Sequence, residues 1–155
     1  MRIFISYSNP DLTIVRTLGN QLNIFGDVFY WNQSNIPGTV AWEQIYNWID
    51  NSDIVIVLIT GNTVTRAISV GQEVRRAKAM GKNIVPIVSN GVLPSELGFL
   101  SGVTYQPVDV LNPLPSISRV TEVVNGCYEN VQQNKRIALG LVSIAFLMQL
   151  AGDEK

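Results

Sequence analysis

Glu73 is the carboxylate whose position most suggests chemistry. It lies in "ISVGQEVRRAKAMGKNIVPIV" (residues 68–88), where a short amphipathic helix runs directly into a very apolar strand. A carboxylate fixed near a ligand can stabilise positive charge that develops on it during a reaction. A glutamate in a helix is also commonly a solvated residue, here with Arg76 and Lys78 as nearby cations. The segment alone leaves both interpretations open.

The composition excludes several kinds of chemistry. The chain has 155 residues, with 12 acidic and 11 basic side chains, so its net charge of −1 offers no footprint for nucleic acid. It has no histidine and a single cysteine, Cys127. Those counts remove the commonest metal ligand and general base, and they exclude an internal disulfide. We therefore expect no metal site, no Ser-His-Asp hydrolase and no nucleic-acid partner.

Strands and helices alternate along the chain. Short β-branched runs predict strands at 2–8, 53–60 and 82–88, and weaker runs predict two more at 27–31 and 103–107. Apolar strands separated by single helices are typical of a parallel sheet that is covered on both faces. The sequence therefore predicts an α/β fold, a flavodoxin-like five-stranded parallel sheet with helices on both faces.

The segments between these strands have helical periodicity. Pro10 suits a first helical turn, Gly26 ends the first helix, and Gly81 stands where a C-terminal cap would end a helix over 63–80. The residues predicted to face the core are Val15, Leu18 and Leu22 in the first helix, Trp42, Ile45 and Ile49 in the second, and Val70, Val74 and Ala77 in the third.

Ligands of such sheets bind outside the carboxyl ends of the strands, so the residues just after each strand are informative. Tyr7 and Ser8 follow the first strand, although they equally suit the turn that begins the first helix. The sequence contains neither a G-x-G-x-x-G turn after a strand nor a P-loop. Serine and tyrosine also stand where a phosphoacceptor receiver domain would need acidic residues for magnesium.

Three segments together resemble the TIR (Toll/interleukin-1 receptor) domain family. They are "FISYSNPD" (4–11), "NIPGTVAWEQIYNWIDNSDIVIVLITGN" (35–62) and "SVGQEVRRAKAMGKNIVPIV" (69–88), in the family's order and spacing. The resemblance covers roughly residues 1–130. It implies either an enzyme that cleaves NAD at the nicotinamide–ribose bond or an adaptor without activity. For the enzyme, NAD is the substrate and no cofactor is implied.

The resemblance also assigns roles to individual residues. It makes Glu73 the catalytic carboxylate and Tyr7, Ser8, Trp42 and Ser69 residues of the substrate site. Trp42 also suits a core position, because it shares a helix face with Ile45 and Ile49. The family's mobile loop, which can complete a neighbouring protomer's site, contains Pro37 and Gly38 here.

Two positions depart from the pattern of active family members. Ser69 replaces a tryptophan or cysteine, and Trp31 stands where an acidic residue often ends the second strand. Both departures concern the geometry of the substrate and leave the carboxylate in place.

A single carboxylate is sufficient for this reaction. The nicotinamide of NAD is cationic and leaves as a neutral molecule, so the difficulty is positive charge on the ribose. A carboxylate near the ribose stabilises an oxocarbenium-like transition state, as in glycoside hydrolysis. The hypothesis is an NAD glycohydrolase or ADP-ribosyl cyclase of bacterial anti-phage immune signalling that yields ADP-ribose or a cyclic isomer. The alternative is a TIR interaction module without chemistry.

The apolar sequence of the C-terminal residues predicts a second structural unit. We assign residues 1–131 to the domain and 132–155 to a hydrophobic C-terminal helix, in which 137–150 are apolar on every face. These fourteen positions span about 21 Å as a helix, short of a hydrocarbon core of about 30 Å. We favour self-association over membrane contact, although Lys135 and Arg136 would suit a tail anchor. The N-terminus resembles no secretory signal, which predicts a cytoplasmic protein.

Overall fold

The computed structural model describes residues 1–31, 41–64 and 67–152, with the backbone alone at 64, 67, 94–96 and 139–152. Its five strands are β1 (Arg2–Ser6), β2 (Asp27–Tyr30), β3 (Ile54–Ile59), β4 (Asn83–Ser89) and β5 (Gln106–Val108). All neighbouring pairs are parallel, in the order β2-β1-β3-β4-β5. The predicted five-stranded parallel sheet is therefore confirmed.

Two predicted strands differ from the observed ones by more than one residue at an end, and the other three differ by one. Strand β1 stops at Ser6, two residues early, because a 3₁₀ turn over Asn9–Asp11 with Pro10 inside it follows almost at once. Strand β5 begins at Gln106, later than predicted, because the Val103 amide still donates to the Leu100 carbonyl in the preceding turn.

The helices are α1 (Leu12–Leu22), α2 (Ala41–Asn51), α3 (Gly61–Val64), α4 (Ala67–Ala79) and α5 (Leu114–Gly152). The helix predicted over 63–80 is thus observed as α4, preceded by the separate short α3. Gly81 has a φ of 63°, the left-handed conformation that commonly ends a helix, as predicted.

The core lies on both faces of the sheet. Helices α1 and α5 cover one face, through Val15, Leu18, Leu22, Ile117, Val120 and Val124. Helices α2 and α4 cover the other, through Ile45, Ile49, Val70, Val74 and Ala77. These include every apolar position that periodicity predicted for the core except Trp42.

Strand β1 and Tyr7, the residue that follows it, place their side chains alternately on the two faces. Ile3, Ile5 and Tyr7 belong to the cluster under α1 and α5, whereas Phe4 belongs to the cluster under α2 and α4. Because side chains alternate along a strand, Ser6 lies on the same face as Phe4. This alternation decides which residue at the end of β1 is directed toward α4.

A polar cluster, in which Ser8, Asp11 and Thr60 are buried and Asn62 is exposed, joins the ends of β1 and β3. The Thr60 hydroxyl donates to Asp11 Oδ2 at 2.7 Å, and Asn62 Nδ2 donates to Asp11 Oδ1 at 2.9 Å. The Ser8 hydroxyl donates to the Asn62 carbonyl at 3.3 Å. These bonds pair polar groups that burial would otherwise leave unsatisfied, and they fix the two loops relative to each other.

Helix α5 is much longer than the helix that its domain needs. It runs without a break through 39 residues, about 58 Å at the usual rise, so the predicted boundary at residue 131 falls inside it. Cys127 and Tyr128 still pack on the core, but residues 133–138 are all exposed. Within the described ranges, no helix has the length and apolarity needed to cross a membrane.

Gly26 lies between α1 and β2, directly before β2, in a backbone conformation that other residues avoid. Its φ is 146° and its ψ is −155°, and a Cβ built there would lie 1.9 Å from the Met1 carbonyl oxygen. The same carbonyl accepts the Asp27 amide at 3.0 Å, so the close approach belongs to the sheet's own hydrogen bonding.

We predict that Gly26→Ala lowers the free energy of unfolding by more than about 2 kcal/mol, because it combines backbone strain with a clash against fixed backbone. Gly91→Ala is the matched control, since a Cβ there meets nothing within 4 Å. Urea denaturation of both variants measures the difference. Equal unfolding free energies for the two would contradict the prediction.

Candidate functional site

A small cavity lies at the carboxyl ends of β1 and β2, where ligands of parallel sheets bind. Its volume is about 30 Å³. Its lining consists of Phe4, Ile5, Ser6, Tyr7, Asn9, Trp31, Ile45 and Glu73. Glu73 is the single carboxylate among the described residues of this lining, so they combine one acid with apolar and aromatic walls.

Glu73 is buried because of its place on α4. The positions that face the sheet are Val70, Val74 and Ala77, and Glu73 lies next to this stripe, one turn after Val70. Its exposure is 9%, which is low for a carboxylate. The interpretation of Glu73 as a solvated surface residue therefore does not describe the structure.

Arg76 and Lys78, the two cations near Glu73 in the sequence, bind other partners. Arg76 Nε donates to Asp50 Oδ1 at 2.7 Å, and Lys78 Nζ donates to the Phe99 carbonyl at 3.0 Å. Both interactions bind α4 to neighbouring elements. They account for these cations without involving the cavity.

The contact between Arg76 and Asp50 holds α4 against α2. The Arg76 hydrogen bond lowers the pKa of the Asp50 carboxyl below its usual value. The Arg76 guanidinium also lies over the Tyr46 ring, 5.5 Å from its centroid. Since Asp50 and Tyr46 are on α2 and Arg76 is one turn beyond Glu73, these contacts support the helix that carries the carboxylate.

Ser6 and Tyr7, at the end of β1, direct their side chains to opposite faces of the sheet. Tyr7 packs edge-to-face on Tyr30, and its hydroxyl donates to the Trp31 carbonyl. Ser6 is 1% exposed and lies on the α2–α4 face, the side from which Glu73 comes. The sequence prediction named Tyr7 and missed Ser6; the strand's period of two, counted from Phe4, was the signal that could have found it.

Trp31 is the one tryptophan among the described residues that line the cavity. It follows the last residue of β2, is half-buried, and lies 6.2 Å from Trp48 between ring centroids. In the sequence it stood out as a departure from the family pattern. In the structure it forms a wall of the cavity that contains Glu73.

Other predicted site residues lie elsewhere. Trp42 is 37% exposed and packs on Tyr46, with ring centroids 5.7 Å apart. Ser8 is buried in the cluster of Asp11 and Asn62, and Ser69 is half-buried one turn before Glu73 on α4. None of the three is in the cavity lining. Pro37 and Gly38 lie outside the described residues.

The cavity geometry favours charge stabilisation over paired acid–base catalysis. Glycosidases of the usual kind need two carboxyl groups, one on each side of the bond, and the part of this lining that the structure describes supplies one. The volume is that of about one water molecule, whereas pockets for whole ligands measure about 300 to 1,000 Å³. A nucleotide therefore enters only if residues of the lining move.

Comparison with known proteins agrees with this architecture. Among solved structures, the TIR domain of the Toll-related receptor TRR-2 from Hydra magnipapillata superposes with a TM-score of 0.62 at 20% identity, covering 81% of this chain and 96% of that one. The TIR domains of the activated Roq1 resistosome, which directly recognises the pathogen effector XopQ, give 0.50 at 15% identity, covering 86% and 98%.

These two likenesses support the fold alone. No curated protein matched the chain. The family model for the TIR domain matches residues 3–117, which include all five strands except Arg2 and also the cavity with Glu73. The chain therefore belongs to the TIR-domain family.

Proposed function

We propose that the protein cleaves NAD at the nicotinamide–ribose bond, with Glu73 as the catalytic carboxylate. The observation that carries the proposal is the burial of Glu73 in a cavity at the carboxyl ends of the strands, beside an aromatic wall. A carboxylate that is nine-tenths buried is unusual unless it has a specific task. Family members with this activity provide the resemblance on which the choice of substrate rests.

The proposed reaction needs one charge-stabilising group. The C1′–N1 bond breaks, and its electron pair goes to the nicotinamide nitrogen, which becomes neutral. The ribose C1′ takes up positive charge, and Glu73 stabilises this charge at short range in a site of low dielectric. Water then bonds to C1′ and loses a proton, which gives ADP-ribose; attack by a group of the same molecule gives a cyclic isomer.

Trp31 suits the nicotinamide end of such a substrate. The nicotinamide ring of NAD is cationic, and tryptophan is the aromatic residue that attracts cations best. Trp42, at the exposed start of α2, would reach a substrate only from the rim. Because the cavity holds about one water, substrate binding on this proposal displaces part of the lining.

We place the activity in immune signalling, specifically in bacterial defence against phage. The Roq1 structure, a resistosome that recognises a pathogen effector, is consistent with this setting but shares only the fold. A TIR domain that serves purely as an interaction module is the alternative. Incubation of the purified protein with NAD, with detection of nicotinamide and of linear or cyclic ADP-ribose, separates the two.

The first prediction for this function concerns the carboxylate. Glu73→Gln should lower kcat for nicotinamide release by about 10²- to 10³-fold or more, because it removes the charge that stabilises the transition state. Glu43→Gln, at an exposed position in the first turn of α2, is the control for losing one charge. Wild-type turnover after the Glu73→Gln substitution would exclude Glu73 as the catalytic residue.

The second prediction compares two tryptophans. Trp31→Leu should lower kcat/KM for NAD about thirtyfold, the effect of losing one desolvated cation–π contact. It should also lower Tm, because the ring packs on Trp48. Trp42→Leu should lower activity more than Tm, since the Trp42 ring is partly exposed. A lower Tm at unchanged specific activity would make Trp42 a packing residue instead.

Self-association through the tail is the remaining part of the proposal. Helix α5 continues past its last contacts with the core, and the sequence at 137–150 is apolar on every side. Burying large apolar side chains is worth about 1.5 to 3 kcal/mol each, so this stretch favours a covered environment. We propose that other copies of the chain provide the cover.

The third prediction tests this assembly. A chain ending at Gln133 should stay folded but elute from size-exclusion chromatography as a smaller species, and should lose NAD cleavage where the site is completed by a second protomer. A chain ending at Leu150 keeps the apolar stretch and is the matched control. An unchanged elution volume and unchanged turnover after truncation at Gln133 would restrict the tail to a local packing role.

A further inference from the structure

Ser6 presents a buried hydroxyl that the fold does not use. Its side chain is 1% exposed, and among the described residues its Oγ has no hydrogen-bond partner. Buried hydroxyls are nearly always paired, because an unpaired one loses its hydration without compensation. An orphan hydroxyl at the end of a central strand therefore indicates a ligand.

The surroundings of Ser6 show what kind of ligand fits. Ser6 lines the cavity with Glu73, on the sheet face that α2 and α4 cover. The volume of about 30 Å³ matches one water or one hydroxyl group, and a polar cavity holds such an oxygen when several polar groups surround it. The Ser6 hydroxyl can donate or accept, and a carboxylate accepts, so both can bind one O–H group together.

We propose that Ser6 and Glu73 hold one hydroxyl oxygen between them. In the free protein this oxygen is a water. In the substrate complex it is either the same water or a hydroxyl of the ligand's ribose that replaces it. This last statement rests on the proposed function, whereas the binding of water by Ser6 in the free protein does not.

The inference gives Ser6 a role in binding close to the reacting sugar. A hydroxyl shared by Ser6 and the carboxylate has a fixed position, because two directed hydrogen bonds constrain it more than one does. Fixing this oxygen orients the ribose, or a water, relative to the carboxylate that stabilises the charge. Ser6 would then affect the rate through geometry without taking part in bond breaking.

A high-resolution crystal structure of the free full-length chain tests the first half. We expect an ordered oxygen within about 3 Å of both Ser6 Oγ and the Glu73 carboxylate in the wild type, and its loss in Ser6→Ala. Crystals with ADP-ribose then show whether that position holds water or a ribose hydroxyl. Density without an oxygen there in the free wild type overturns the inference, whether or not the protein cleaves NAD.

Kinetics test the second half. Ser6→Ala should lower kcat/KM for nicotinamide release about tenfold, as expected for one ordinary hydrogen bond to the ligand. Ser52→Ala is the matched control, because Ser52 is also buried, at 2% exposure. Its hydroxyl already has a partner, since it donates to the Ile49 carbonyl at 2.9 Å. Ser52 precedes β3, at the end of the sheet away from the cavity. The kcat/KM of Ser52→Ala per folded molecule should equal that of the wild type.

The binding of an oxygen by Ser6 and the role of Ser6 in the reaction can be disproved independently. Equal kcat/KM for Ser6→Ala and the wild type overturns the role of Ser6 in the reaction. A wild-type protein that releases no nicotinamide overturns the proposed function, and the crystallographic oxygen still decides whether Ser6 binds water.

Discussion

The complete burial of the central strands is the constraint from which the rest follows. All six residues of β3 and the apolar residues of β1 are 1% exposed or less, since helices cover both faces of the sheet. Polar side chains therefore occur only where these strands end. At that edge the structure places Ser6, the Asp11–Thr60–Asn62 cluster and the wall that Trp31 forms. Covering both faces of the sheet thus confines polar side chains to the ends of these strands, and the carboxyl end holds this group.

The sequence predicts the architecture well because strand and helix periods are local properties. Each apolar run became a strand, and Val70, Val74 and Ala77 face the core as their spacing indicates. The site is harder to predict, since a cavity depends on which elements meet. Trp42 has the helical spacing of a core residue yet is partly exposed, whereas Trp31 reaches the cavity because β2 ends there. Register along β1 distinguishes Ser6 from Tyr7, and that requires knowing which helices cover each face.

The burial of Glu73 depends on how α4 is held. The contacts of Arg76 with Asp50 and Tyr46 lie on the surface, so individually each contributes modestly to stability. Together they reinforce the orientation of α4 that its buried stripe of Val70, Val74 and Ala77 sets, with Glu73 beside that stripe. Surface residues of ordinary appearance can therefore support the position of a buried carboxylate without touching a ligand.

The continuity of α5 has a consequence for the orientation of anything attached to its end. A flexible linker sets only a range of distances, whereas an unbroken helix also sets an angle. One residue added between Tyr128 and Ile137 would turn the apolar stretch by about 100° and advance it by about 1.5 Å. Seven added residues would return it nearly to its original azimuth. The number of residues along α5 thus sets the rotation of the tail about the helix axis, and with it the direction that the tail faces relative to the domain.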